Sequence, residues 1–215
     1  MFDKNDFTKY AHLIWDWNGT LINDVSMNIQ IMNEHLQRES LPELTPKRHQ
    51  EIFGFPLLDF YKTLGFNWTE SSFDEVSMEF MQEYEARKHA CELHPACRDF
   101  LYHWEREGKQ QSVLSAYKQA YLDDSLQRFQ IQHLFQFVVG AENHRGDGKI
   151  AEGKRLLQDI GQPPEKIALI GDTIHDFEVA EAIGIDCFLV TSGNQSMQRL
   201  QDTSAKIIIL DNVQL

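Results

Sequence analysis

Asp16 follows the apolar run HLIW at 12–15 and is itself followed by Asn18, Gly19 and Thr20. Ser115 closes a second such run, QQSVLS at 110–115; Lys149 comes after a third, FQFVVG at 135–140; Asp172 and Asp176 come after a fourth, IALIG at 167–171. A carboxylate, a hydroxyl, an ammonium and two further carboxylates make a set suited to moving a phosphoryl group. Carboxylates gathered in one place repel one another unless they share a cation, and Mg2+ takes a few carboxylate or carbonyl oxygens while keeping several waters. With its charge screened, Asp16 could attack phosphorus and form an acyl phosphate, which splits one hard displacement into two easier ones. Ser115 and Lys149 would then hold the equatorial oxygens, where charge is concentrated in the transition state. Each residue alone has a plainer reading. An Asp after a strand commonly caps a turn, Ser115 could be an ordinary strand-end serine, and Lys154 competes with Lys149. Lys149 is preferred because it opens its helix, where an ammonium can point into a crevice.

These side chains converge only if the runs before them are neighbouring strands. Residues 12–17 read as a buried strand meeting a tight turn at Asn18-Gly19. From 24 to 90, apolar residues such as Met27, Ile31, Phe60, Phe73 and Phe80 recur at helical spacing with no convincing strand, as in a helical bundle inserted after the first strand. From Pro95 the pattern alternates: helix 96–107, strand 110–115, helix 119–129, strand 135–140, helix 150–160, strand 167–171, helix 177–183, then strands 187–191 and 206–210. Repeated units of this kind predict a parallel sheet with helices on both faces. The ligand crevice of such a sheet lies beyond the carboxyl ends of its strands, where the strand order reverses.

A chain of 215 residues can hold one core plus a small accessory domain. With 33 acidic against 20 basic residues its formal charge is −13, which argues against a nucleic-acid partner. No apolar run reaches the length of a membrane span, and residues 1–10 lack the features of a signal peptide, so a cytoplasmic protein without a membrane partner is expected. Cys91, Cys97 and Cys187 are expected to be free thiols; Cys91, His94 and Cys97 lack the spacing of a zinc site.

Four motifs in order, WDWNGTL at 15–21, Ser115 in VLSA, Lys149 in GDGKIAEGK and GDTIHD at 171–176, resemble those of the haloacid dehalogenase superfamily. The resemblance covers 8–23 and 91–215. It implies a Rossmann-like, doubly wound α/β core made of 1–23 and 91–215, with an inserted four-helix cap at 24–90 similar to that of phosphoglycolate phosphatase and beta-phosphoglucomutase. Such a cap closes over the site, excludes water and selects the substrate. The segment IFGFP at 52–56 is similar to the cap loop that meets the substrate in those relatives, and it offers no charged group at Gly54 or Phe55. The resemblance further implies Asp16, Asn18 and Lys149 as catalytic residues and phosphate contacts from Gly19, Thr20, Ser115, Ala116 and Lys149. It implies Mg2+ on Asp16, Asn18 and Asp172, with Asp176 in support, and a small phosphorylated metabolite as substrate.

One position departs from the family pattern. Most phosphatases of the family carry an aspartate two residues after the nucleophile, as general acid and then base, and this chain has Asn18 there. An amide cannot shuttle that proton, although its backbone carbonyl can still bind a metal; such assistance is typically worth about 10²–10⁴ in rate. Three explanations stand open: a substrate with an acidic leaving group such as an acyl phosphate or phosphoanhydride; a slow enzyme, or one using another donor such as His175 or a cap residue; or partial deamidation at Asn18-Gly19. Two other classes of function also stand beside the phosphatase: a carbon-centred hydrolase, dehalogenase-like or phosphonate-cleaving, and a non-catalytic phosphate-binding module with Asp16 as acceptor.

Overall fold

The computed structural model describes residues 7–67, 70–142 and 148–209. Strands β1 (His12–Trp15), β4 (Gln110–Lys118), β5 (Phe137–Ala141), β6 (Ile167–Gly171), β7 (Asp186–Val190) and β8 (Lys206–Ile208) form one sheet in the order β5-β4-β1-β6-β7-β8, every pairing parallel. The chain builds outward from β1 to β4 and β5, then returns to the other side of β1 for β6, β7 and β8. The strand order therefore reverses at β1, so the crevice opens beside its carboxyl end, where Asp16 stands.

Alternation along the strands sorts their side chains into two layers. Leu13, Trp15, Val113, Ala168 and Ile170 join one core, packed by α5 (Pro95–Arg106) and α6 (Gln119–Arg128) through Phe100, Leu101, Trp104, Leu122 and Leu126. Ile14, Leu114, Ile167 and Leu169 join the other, packed by α7 (Lys149–Ile160) and α8 (Ile174–Ile183) through Leu156, Ile160, Val179 and Ile183. Both faces are covered, which is why these strands read as continuous apolar runs. A short α9 (Met197–Leu200) precedes β8.

Between the sheet's first two strands in sequence lie four helices, α1 (Val25–Arg38), α2 (Pro46–Ile52), α3 (Leu57–Thr63) and α4 (Glu70–Arg87). They enclose a separate core of Met32, Leu36, Leu44, Phe60, Tyr61, Phe66 and Phe73. The two chain crossings that lead into and out of this insertion are zipped together by an antiparallel pair, β2 (Ile22–Asn23) with β3 (Glu92–Leu93). Sequence periodicity does not reveal this pair, because two residues are too few for an alternation to register.

Several predicted bounds shift. The first strand ends at Trp15 rather than 17, because the chain turns at once: Leu21 N and Ile22 N both bond back to Trp17 O, at 2.9 and 3.0 Å. β4 runs on to Lys118 instead of stopping at Ser115, and its pairing with β5 slips between Leu114 and Lys118. Ser115 thus sits on a bulge inside the strand, which explains how a strand residue comes to face the crevice. β8 spans 206–208, and Leu210 of the predicted strand lies outside the described residues, as do 146–147 of the third motif. Among the described residues no helix is long and apolar enough to cross a membrane. The three cysteines are free and buried.

Candidate active site

The loop after β1 delivers Asp16, whose Oδ1 lies 2.9 Å from the ammonium of Lys149. Lys149 opens α7, as its preference over the exposed Lys154 requires, and its other carboxylate partner is Asp176 at 2.6 Å. Burial alone would lower the lysine's pKa, but Asp16 and Asp176 outweigh it and hold the ammonium charged. Asp16 is pushed by burial up to about 6, against the pull of Lys149 and with the push of Asp176.

Asp172 and Asp176 come from the turn between β6 and α8. Asp176 Oδ2 accepts from Asp172 N at 3.2 Å, Thr173 N at 3.0 Å and Thr173 Oγ1 at 2.7 Å, closing a capping box at the start of α8, while its Oδ1 meets Lys149. Both oxygens of Asp176 are therefore engaged, so it caps the helix and orients the lysine. Asp172 accepts from Thr20 Oγ1 at 3.1 Å and from Asn194 N and Nδ2 at 2.6 and 2.9 Å. Burial, and after it the charges of Asp176 and Asp16, push Asp172 well above the ordinary carboxylate range.

Oxygens of Asp16, Asp172 and Asp176 lie within 4.8 Å of one another. Two buried carboxylates and a partly buried third with one ammonium leave an excess of negative charge, and this all-oxygen donor set fits a hard divalent cation such as Mg2+. The backbone makes room for it. Gly19 has φ +74°, and a Cβ there would lie 2.4 Å from Asp172 Oδ2; a Cβ on Gly193 would lie 2.2 Å from the same oxygen. Only glycine lets both loops close on that carboxylate.

A cavity of about 180 Å³ lies between the strand ends and the helical insertion. Asp16, Asn18, Ser115, Ala116, Lys149 and Asp172 line its floor, and Phe55 lies on its wall. Two residues expected among the phosphate contacts, Gly19 and Thr20, are not on that wall: Gly19 N donates to Asp24 Oδ1 at 2.9 Å and the Thr20 hydroxyl serves Asp172. Gly54 is also off the wall and faces Arg199 and Gln195 instead. His175 lines the cavity with its ring 4.7 Å from that of Phe55, its Nδ1 3.4 Å from Glu178 and its Nε2 without a hydrogen-bond partner among the described residues.

Sequence reasoning missed two supports. Asn18 Nδ2 donates to Asp24 Oδ2 at 2.6 Å and to Tyr84 OH at 2.9 Å, and Tyr84 OH donates to Asp24 Oδ2 at 2.8 Å. Asp24 holds the N-cap position of α1, yet its side chain makes no cap bond and turns inward to serve Asn18. On the other side, His49 of α2 meets Asn194 Oδ1 at 3.0 Å. Because Asn194 spends its amide N–H on Asp172, the oxygen faces His49, so His49 Nε2 carries the donated proton. Nearby, Gln195 Nε2 and Arg199 Nη1 both donate to Phe53 O, at 2.8 and 2.5 Å. Helix α2 of the insertion is thus tied to the segment 194–199, whose Asn194 bonds Asp172.

The family model for haloacid dehalogenase-like hydrolases matches residues 13–190. The chain belongs to this family. Among curated relatives of this haloacid dehalogenase-like hydrolase, the tyrosine-protein kinase PtkA of Mycobacterium tuberculosis is 23% identical over 198 residues, covering 91% of this chain and 67% of that protein. A phosphoglycolate phosphatase of Aliivibrio fischeri is 20% identical over 212 residues, covering 91% and 90%. Among solved structures, a haloacid dehalogenase-like hydrolase from Streptococcus pneumoniae superposes with a TM-score of 0.77 at 20% identity, covering 94% of each chain. At such identities the superposition speaks for the fold, and it agrees with the doubly wound core read from the four motifs.

Proposed function

We propose that this hydrolase is a magnesium-dependent phosphatase acting on a small phosphorylated metabolite by phosphoryl transfer to Asp16, beneath a cap formed by α1 to α4. The observation that carries the reading is the position of Lys149, bridging Asp16 at 2.9 Å and Asp176 at 2.6 Å beside Asp172 on the floor of the cavity. The relatives' activities, a phosphatase and a kinase, both move phosphoryl groups, which supports the reaction class.

Asp16 attacks phosphorus through a carboxylate oxygen, and the bond from phosphorus to the leaving oxygen breaks with its electron pair. Ser115 and Lys149 bind the oxygens of the transferring group, the lysine with its position set by Asp176. Water then attacks the phosphorus of the acyl phosphate, the bond to Asp16 breaks, and inorganic phosphate leaves. Asp16, the backbone carbonyl of Asn18 and Asp172 would hold Mg2+, which supplies electrostatic screening between the carboxylate and the incoming phosphate. Asn18 supplies no proton to the leaving group, so substrates whose leaving group is already acidic are favoured.

The test is phosphate release from a panel of phosphate esters and acetyl phosphate, with Mg2+ or with EDTA, by wild type and Asp16→Ala. Release that needs both metal and Asp16 supports the reading; release indifferent to either contradicts it.

A further inference from the structure

The helical insertion contributes Asn28, His49, Ser77 and a run of apolar and aromatic side chains to the cavity, and among the described residues not one Lys, Arg, Asp or Glu. Phe53, Phe60, Tyr61, Phe80 and Tyr84 supply aromatic surface, with Met32 and Met81 between them. The charged residues on the wall belong to the sheet and its flanking helices, and the carboxylates among them surround Lys149. Lys149 is held between two carboxylates, and the ammonium of Lys118 lies 5.3 Å from the ring centre of Tyr121. A substrate with a second anionic group, such as the carboxylate of phosphoglycolate or the further phosphates of a nucleotide, would meet no cation on the insertion's side of the cavity, where the wall is mainly apolar, and burying that charge there is costly. A flat apolar body would instead gain contact with the rings.

A second observation, independent of the lining, concerns the leaving group. The residue beside the nucleophile is Asn18, and its Nδ2 is already engaged by Asp24 at 2.6 Å and Tyr84 at 2.9 Å. Position 18 therefore gives the leaving oxygen no proton, which favours a leaving group that is stable as an anion. A phenol ionises at about pH 10, as tyrosine does, several units below an aliphatic alcohol, so a phenolate departs without help where an alkoxide does not.

We propose that the substrate is an aryl phosphate, a phosphomonoester of a phenol with no second anionic group. This proposal rests on the phosphatase reading above and adds the substrate class to it. Asp16 oxygen bonds to phosphorus as the bond from phosphorus to the aryl oxygen breaks; the electron pair leaves on the phenolate, which is protonated by solvent, and water afterwards releases phosphate from Asp16. Acetyl phosphate and pyrophosphate also have easy leaving groups, but they give the aromatic wall no ring to hold.

The experiment compares kcat and KM with Mg2+ for phenyl phosphate, benzyl phosphate, acetyl phosphate and phosphoglycolate, for wild type and Met81→Lys. Phenyl and benzyl phosphate share a ring but differ in leaving group, and phenyl phosphate is expected to turn over faster by about 10²–10⁴-fold. Its kcat/KM should exceed that of phosphoglycolate by about 10²-fold and should exceed that of acetyl phosphate through a lower KM. Met81→Lys, which adds a cation to the wall, should narrow the gap between phenyl phosphate and phosphoglycolate. If phosphoglycolate or acetyl phosphate is the best substrate, or benzyl phosphate equals phenyl phosphate, the aryl proposal falls while the phosphatase reading stands. If none of the four releases phosphate, the phosphatase reading falls and takes this proposal with it.

Discussion

The side-chain amide of Asn18 donates to the carboxylate of Asp24 across 2.6 Å, and the same carboxylate accepts from Gly19 N and from Tyr84 OH. Asp24 is fully buried; burial pushes its pKa up, and these donors work against the shift. Such a buried carboxylate is tolerable because its oxygens are bonded. The surroundings of position 18 are thus built for an amide and would oppose a second carboxylate.

Asn18→Asp places two carboxylates in contact, and they must share a proton or separate. We expect a stability loss of about 1–3 kcal/mol in urea unfolding at neutral pH. The double variant Asn18→Asp with Asp24→Asn restores one donor facing one acceptor, so it should recover most of that loss and raise turnover of alkyl esters by about 10²-fold. Equal losses in the single and double variants would show that the pair is not coupled.

A parallel expectation concerns Asp172. Asn194 donates to it twice, and His49 holds the far end of the same amide at 3.0 Å. Asn194→Ala should weaken Mg2+ binding by about 10–100-fold, and His49→Ala should act in the same direction by less. Calorimetric titration of each variant with Mg2+ gives the answer; an unchanged affinity in Asn194→Ala would mean that Asp172 does not bind the ion.

Metal binding should also depend on pH in a stated direction. A carboxylate must lose its proton to bind Mg2+, and burial raises Asp16 to about 6 before metal arrives. Affinity should fall as pH drops through about 6, where Asp16 takes up its proton, and the raised Asp172 adds to the fall in the same direction, with proton release visible as buffer-dependent heat. A pH-independent affinity across that range would count against Asp16 as a ligand.

The floor of the candidate site was legible in the sequence because most of its residues stand in or just after an apolar run. Asp16 and Asp172 follow strand ends, and Ser115 lies on the bulge of β4, positions that an alternation of strands and helices brings together, so fold and floor follow from one pattern. The supports were not legible, because they are single polar residues whose partners are distant in sequence. Tyr84 and Asp24 are 60 residues apart, and His49 and Asn194 are 145 apart. Asp24 even carried a misleading signal, since an aspartate before a helix is expected to cap it. The one usable hint was the Asn in place of an acid at 18, which asks what an amide would be bonded to. For Gly19 and Thr20, adjacency to Asp16 suggested phosphate contact; in the structure the tight return of the chain to Trp17 directs Gly19 N to Asp24 and the Thr20 hydroxyl to Asp172.

Stability should show its own pH dependence through His12. This histidine is fully buried in β1, its Nε2 2.8 Å from Ser112 Oγ of β4, and burial lowers its pKa from 6.5 to about 4. The unfolded chain binds the proton first as pH falls, so the neutral histidine's contribution is full above about pH 6.5 and is lost as pH drops towards 4. The loss should reach on the order of 3 kcal/mol. Urea unfolding as a function of pH should show this slope in wild type and a shallower one in His12→Gln; identical slopes would assign the acid sensitivity elsewhere.

The most direct test of phosphoryl transfer to Asp16 is mass spectrometry of the protein quenched in acid during turnover of phenyl phosphate with Mg2+. One added phosphoryl group is expected on the peptide that contains Asp16, removable by hydroxylamine and absent in Asp16→Asn. A phosphoryl group on another residue, or phosphate release that persists in Asp16→Asn, would contradict it.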